Sequence, residues 1–290
     1  MTNNSLRDTS VAGQFYSNDP QQLEFQINSF IENIELTKFK DQHTRAVILP
    51  HAGYTFSGKI AAQTLATASN IEYDRIIILC PSHYVGFSGM ALPTYSRCKT
   101  PLGELEVDTK AVEVLSTEGF TTNPEAHKQE HSLEVQLPLI KKIFNNVPIV
   151  PIICGYAEGE KHSRMIKALY SFFDKSTLWL ISSDFTHYGK SFNYLPFTNN
   201  IKENLRELDL GAVEKILLMK SMNFKEYINK TGATICGAKP ITTLLELIES
   251  SSKQGKQIIK GELVKYTTSG DMTGDFQHCV SYAGITFYDV

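Results

Sequence analysis

The chain has 290 residues, 28 Lys and Arg against 31 Asp and Glu, and a formal net charge of −3, which excludes the clustered basic face of a dedicated nucleic-acid binder. Its 42% hydrophobic and 20% charged content is ordinary for a globular protein; no window approaches an unbroken apolar membrane span, and the polar start Met1-Thr2-Asn3-Asn4-Ser5 has no signal core, so a cytoplasmic location without membrane contact is expected. Five cysteines without paired spacing predict reduced thiols rather than a disulfide framework.

In chain order the pattern alternates strand and helix, punctuated by Gly and Pro, with no internal repeat. Asp19-Pro20 reads as an N-cap and first helical residue, and Leu23, Ile27, Phe30, Ile31 and Ile34 carry the helix to about Glu35. Ala46–Leu49 is a buried strand, and Ser57-Gly58 opens a helix whose Ala61, Ala62, Ala66 and Ala68 let it lie close to a sheet. Arg75–Cys80 is continuous, β-branched and too short for a helix, hence a second strand. From Gly86 to Val107, breaks at Pro93, Pro101 and Gly103 predict antiparallel excursions at the sheet margin. Asp108 is expected to cap a helix through Leu115, and Glu130–Phe144 to form an amphipathic helix kinked at Pro138. Strand Val147–Cys154, helix Lys161–Phe173 and strand Thr177–Ser182 repeat the theme. Helices near Ile201–Met219, Asn223–Asn229 and Lys239–Ser250 then precede two strands, Gly261–Thr268 and Val280–Tyr288. This order predicts one α/β domain over residues 1–290, a mixed central sheet with helices on both faces.

Three histidines fall just beyond strand-like runs: His51, His83 and His187. In an open α/β sheet, reactive groups collect outside the carboxyl ends of the strands, so three imidazoles would reach one edge, the outline of a metal or acid/base site. Asp184, three residues before His187, reads either as its orienting partner or as the cap of a short turn. Cys236 leads into a helix beginning near Pro240, where the helix dipole would favour thiolate, although a small cysteine also suits tight packing. His131 and Glu134 share a face of one helical turn, with Gln136 beyond, a polar first turn that suits a substrate pocket or simple capping. The order His131-Ser132-Leu133-Glu134 is not the zinc-protease motif, which needs two histidines four apart.

Six strings, Ala12-Gly13-Gln14-Phe15-Tyr16, Pro50-His51-Ala52-Gly53-Tyr54-Thr55-Phe56-Ser57-Gly58, Pro81-Ser82-His83, Glu130-His131-Ser132-Leu133-Glu134, Ser183-Asp184-Phe185-Thr186-His187-Tyr188-Gly189 and Ile235-Cys236-Gly237, together resemble the Memo family. Its prokaryotic members are also called AmmeMemoRadiSam system protein B, and the resemblance covers nearly the whole chain in order. It implies a fold similar to class III non-haem-iron extradiol dioxygenases, with a pocket at the sheet edge. Carried over position by position, it implies His51, His83 and Cys236 as metal ligands and His187 with Asp184 as an acid/base pair. Those dioxygenases complete two histidines with a carboxylate; Cys236 stands at that position here, a soft donor that also suits copper or zinc.

The leading expectation is a metal-binding protein whose native metal is iron (Fe2+), acting by redox or oxygen-dependent chemistry on a small molecule. The alternative is a non-catalytic module that binds a peptide or partner in the same pocket, with Tyr16 and Tyr54, beside Phe15 and Phe56, supplying apolar contacts. A zinc hydrolase with Cys236 as nucleophile and His187 as base ranks third. The family name further implies a functional association with a radical-S-adenosylmethionine protein.

Overall fold

The computed structural model describes residues 5–32, 39, 41–255 and 258–290. After a two-residue strand β1 (Leu6–Arg7), helix α1 (Pro20–Ile31) begins where its cap demands: Asp19 accepts the Gln22 N–H at 2.8 Å, and Pro20 takes a first-turn position where its missing N–H costs nothing. The further turn expected through Ile34 and Glu35 lies outside the described residues. Strand β2 (Thr44–Leu49) follows, and then a π-turn at Tyr54–Gly58 delays helix α2 to Lys59–Leu65. Gly58 belongs there because a Cβ would sit 2.6 Å from the Phe30 ring.

The next strands are β3 (Arg75–Pro81), β4 (Met90–Leu92), β5 (Arg97–Thr100) and β6 (Gly103–Glu106). The expected antiparallel excursions are present in two places. β4 runs antiparallel to the later segment Ile149–Cys154 in the main sheet, whereas β5 and β6 form a hairpin joined by β1 in a separate three-stranded sheet. Helix α3 (Thr109–Ser116) is capped by Asp108, which accepts the Ala111 N–H at 3.0 Å. Strand β7 (Thr121–Thr122) and helix α4 (Pro124–Lys128) lead to the segment read as one kinked helix. It is instead two, α5 (His131–Glu134) and α6 (Gln136–Phe144). Pro138 has no N–H for the Glu134 carbonyl four residues back, so the ladder breaks there and the proline sits in the first turn of α6.

Strand β8 (Ile149–Cys154), helix α7 (Gly159–Tyr170), strands β9 (Thr177–Ser182) and β10 (His187–Gly189), and helices α8 (Ile201–Leu217), α9 (Ser221–Thr231) and α10 (Ala238–Lys253) come next. Strand β11 (Ile259–Thr268), the short α11 (Ser269–Thr273) and β12 (His278–Asp289) complete the described chain. Among the described residues the main sheet has nine strands in the order β10-β12-β2-β9-β3-β8-β4-β7, with β11 paired to β12. Its centre, β2-β9-β3-β8, is parallel and its flanks bring in antiparallel neighbours.

Alternation along the central strands divides two cores. Ala46, Ile48, Ile77, Leu79, Val150, Ile152, Trp179 and Ile181 face one layer, while Val47, Leu49, Ile76, Ile78, Cys80, Ile153, Leu178 and Leu180 face the other. Both faces are sealed, which is why these strands read as unbroken apolar runs. Each Val, Leu or Ile among them contributes about 1.5–3 kcal/mol by burial, enough to hold the strand ends, and whatever follows them, in fixed positions. Among the described residues no helix is long and apolar enough to cross a membrane, and all five cysteines are free thiols.

Candidate metal centre

The carboxyl ends of β2 and β3 deliver His51 and His83 to one edge, and the start of α5 brings His131 beside both. The ring centroids lie 5.2 Å apart for His51 and His83, 5.4 Å for His51 and His131, and 4.5 Å for His83 and His131. One nitrogen from each lies within 4.8 Å of the other two, so these three residues form a group that could hold a metal ion. His51 is buried, His131 is half-buried, and His83 opens to solvent, giving the group one accessible side.

The second ring nitrogens decide what faces the centre. His51 Nδ1 lies 2.8 Å from Ser182 Oγ and His83 Nδ1 lies 2.7 Å from Glu130 Oε1. Glu130, 1% exposed, also accepts the His83 backbone N–H at 2.8 Å and the Ser132 hydroxyl at 2.7 Å. Against its burial, the Glu130 carboxyl is held below its ordinary value by hydrogen bonds from the His83 ring, the His83 backbone and Ser132. A carboxylate on Nδ1 fixes the ring orientation and leaves the Nε2 lone pair for a metal. Burial, then the neighbouring imidazoles, push His51 well below the usual histidine range, which keeps it neutral as a ligand must be. The donor set therefore fits a metal.

Cys236 adjoins this group through His51, with Sγ 3.3 Å from Nε2. Gly237 makes the approach possible: its N–H donates to Ser183 Oγ at 3.1 Å, and a Cβ there would fall 2.3 Å from the Ser183 side chain. The thiolate expected from the helix dipole does not prevail in the metal-free protein. Burial and the nearby Asp184 push the Cys236 thiol well above its ordinary value.

Asp184, 4% exposed, accepts the His51 backbone N–H at 2.8 Å, and its own N–H donates to Cys236 Sγ at 3.2 Å. It thus links two groups at the centre instead of capping a turn. Burial raises its carboxyl above the ordinary value against the pull of the imidazoles. His187 opens β10; its ring is set by the Thr234 carbonyl, 3.0 Å from Nδ1, and its backbone N–H donates to Thr234 Oγ1 at 2.9 Å. The group holding the His187 tautomer is therefore Thr234, leaving Nε2 as the basic atom.

The remaining sequence-derived residues lie behind the cluster. Glu134 is fully buried and accepts from Arg7 Nη1 at 2.9 Å, Val11 N–H at 2.8 Å, Ser10 N–H and hydroxyl, and the Tyr16 hydroxyl at 3.0 Å. It pins the N-terminal segment against the site. The Tyr54 hydroxyl donates to the Val135 carbonyl at 2.9 Å, and its ring is 2% exposed. Of the aromatic residues expected from sequence, Phe15 reaches the cluster, 5.1 Å from the His131 ring, and it borders a groove of about 410 Å³ lined by Gln14, Gln22, Phe25 and Thr55 among others. A further cavity of about 520 Å³ opens over Cys154, Phe224 and Lys239 at the end of β8; none of the three clustered histidines lines it.

Ser182, Glu130, Thr234 and Tyr84 were not singled out from sequence. Glu130 had a signal, a carboxylate beside the His131-Ser132 pair, but its partner is 47 residues away. Ser182 ends its strand in the same way that Pro50 precedes His51, and only the parallel register of β2 and β9 brings it behind that ring.

A family model described as Memo-like protein matches residues 7–286. The protein memo-1 homolog of Caenorhabditis elegans is 32% identical over 291 residues, taking in 97% of this chain and 82% of that protein. A MEMO1 family protein of Methanosarcina mazei is 32% identical over 284 residues, with 97% and 98% covered, and protein MEMO1 of Mus musculus is 31% identical, with 96% and 95% covered.

Proposed function

Because the chain belongs to the Memo family, we propose that its sheet-edge cluster is a redox-active metal centre acting on a small substrate, with iron as the resident metal. His51 and His83 would hold the metal through Nε2, with Cys236 as the third donor. The observation that supports this reading is the pair of buried acceptors, Ser182 and Glu130, that tie down both Nδ1 atoms while Cys236 Sγ stands 3.3 Å from His51 Nε2. Two imidazoles and one sulfur suit iron, copper or zinc; a bound metal would supply Lewis acidity and, for iron or copper, electron transfer.

The chain's own groups supply the proton chemistry. His187 Nε2 is free to accept a proton, because the Thr234 carbonyl takes the hydrogen on Nδ1. Asp184 fixes the His51 backbone and meets the thiol, so it sets the spacing of the donors. The apolar wall of Phe15 beside the groove gives a substrate somewhere to rest. That same groove favours a second reading, in which a peptide or partner segment lies along it and docks beside the cluster without turnover.

Protein purified without oxygen is expected to contain stoichiometric iron, lost in His51→Ala, His83→Ala and Cys236→Ala variants, and to consume oxygen only when iron is present. Metal binding unchanged in all three variants overturns the first reading. Peptide affinity that survives metal removal supports the second.

A further inference from the structure

We propose that Tyr84 commits His131 to the tautomer carrying its proton on Nε2, so that His131 faces the cluster as a hydrogen-bond donor, while His51 and His83 face it with lone pairs. This deepens the metal-centre reading and rests on it for one point only, the identity of what occupies the cluster. In that setting His131 is the group that holds an anionic or oxygen ligand beside the metal, and Tyr84 is its positioning residue.

A neutral imidazole has one proton, and the partner of one nitrogen determines which atom carries it. At His51 the logic closes through three neighbours. Ser182 Oγ lies 2.6 Å from the Ser132 carbonyl, which only accepts, so the hydroxyl proton goes there. Gln136 Nε2 donates to Ser182 Oγ at 3.1 Å, and the orientation of that amide is fixed because the same Nε2 meets the Pro50 carbonyl at 3.0 Å. Ser182 therefore can only accept from His51 Nδ1, at 2.8 Å. At His83 the Glu130 carboxylate dictates the same answer.

His131 differs because its Nδ1 partner, the Tyr84 hydroxyl at 3.0 Å, brings its own proton. A phenol is a better donor than acceptor, and an unprotonated imidazole nitrogen is a strong acceptor. Glu130 Oε1 stands 3.6 Å from the same nitrogen, beyond hydrogen-bond reach, and is engaged by His83 and Ser132. The chain contains a second copy of this pair whose tautomer is forced. Four residues before His131, His127 Nδ1 meets the Tyr95 hydroxyl at 2.9 Å, and His127 Nε2 lies 3.0 Å from the Ala91 carbonyl, which can only accept. Tyr95 thus donates to Nδ1 and Nε2 carries the hydrogen. His131 repeats the arrangement with the histidine cluster where His127 has a carbonyl. An N–H there is attracted by the two lone pairs that His51 and His83 present, whereas a third lone pair would be repelled.

Nitrogen-15 spectra of the histidine side chains in the metal-free protein read the tautomers directly. His131 is expected as the Nε2–H form, with His51 and His83 as Nδ1–H forms, and Tyr84→Phe, at an exposed position, is expected to shift His131 to a mixture without altering the fold. In an anaerobic titration with ferrous iron, His131→Gln, which keeps an N–H donor, should bind within about threefold of the parent, while His83→Ala loses roughly 100-fold. An Nδ1–H signal from His131 in the parent, no response to Tyr84→Phe, or iron loss in His131→Gln as severe as in His83→Ala overturns the proposal. If the parent protein binds no iron, the metal reading falls while the nitrogen spectra still decide the tautomer.

Discussion

Glu130 and Glu134 stand at the two ends of one helical turn, are 1% and 0% exposed, and do opposite work. Glu130 spends its oxygens on His83 and Ser132, at the face where the imidazoles converge. Glu134 spends its oxygens on Arg7, Ser10, Val11 and Tyr16, on the side turned away from the cluster. The residue type and the burial are the same; the partners, more than a hundred positions distant for Glu134, separate orienting a ligand from fastening a segment. Substitutions at the two positions should therefore move different observables.

The largest effect is expected at Glu134. Glu134→Ala leaves the Arg7 guanidinium buried without its carboxylate, which should cost about 3–5 kcal/mol of unfolding free energy in urea. Iron affinity of the fraction that stays folded should be unchanged. Replacing both partners, Arg7→Met with Glu134→Leu, should recover most of the loss, since an apolar pair has no orphaned charge. A Glu134→Ala protein of parental stability that loses its metal would erase the distinction.

Acid should expose the same division more gently. Burial pushes His127, whose carbonyl accepts from Arg7, down to about 4. The unfolded chain takes up that proton near pH 6.5 and the folded chain does not, so the His127 contribution to stability falls as the pH drops from 6.5 to 4 and then levels off. At about 1.4 kcal/mol per pH unit the loss is roughly 3 kcal/mol, and His51, pushed well below its ordinary value by burial, adds in the same direction. Glu134 follows at lower pH: against its burial, Arg7 and the N–H groups of Val11 and Ser10 hold its carboxyl below the ordinary value of 4.5. Its stabilisation is complete above 4.5 and lost as the pH falls through the depressed folded value. Unfolding curves between pH 7 and 3 should show the first decline in the parent and in Glu134→Ala alike, and a steeper second decline in the parent, since Glu130, Asp108 and Glu246 contribute to it in both proteins.

Glu130→Gln is expected to reverse the pattern. The amide oxygen can still accept from His83 Nδ1, but the NH2 group then meets the His83 backbone N–H that Oε2 accepted, so the fold should lose about 1–3 kcal/mol, and the charge that orients His83 is gone. Iron affinity should fall about 10- to 100-fold, which titration of the metal-free protein measures. A Glu130→Gln variant with parental affinity and a large stability loss would make the two glutamates equivalent.

The central strands were legible in the amino-acid pattern because both of their faces are buried, so β2 and β3 read as unbroken runs and their ends predicted the places of His51 and His83. Their carboxyl edge followed from the parallel order alone. What could not be read was every contact that depends on register between distant strands: Ser182 behind His51, Thr234 on His187, Arg7 on Glu134. Local pattern also misplaced the helix break, since the effect of Pro138 falls on the carbonyl one turn earlier. His131 and Glu134 looked like one pocket-lining pair because they are a turn apart. Their side chains diverge, one toward the cluster and the other toward Arg7.

The smallest expected effect is the most discriminating for the groove beside the site. The Tyr16 hydroxyl donates to Glu134 Oε1 at 3.0 Å, its ring is 4% exposed, and burial with the adjacent carboxylate pushes the phenol far above its ordinary value. It is therefore a neutral donor belonging to the Glu134 network. Tyr16→Phe removes one of several donors and leaves the ring packed against Tyr54, so the cost should be about 1 kcal/mol in urea unfolding. Iron affinity and any peptide affinity should stay within about twofold, a range too narrow to reflect a lost hydrogen bond. A tenfold drop in ligand binding at parental stability would move Tyr16 from the anchoring side of the molecule to the binding side, and would require the N-terminal segment to open when the groove is filled.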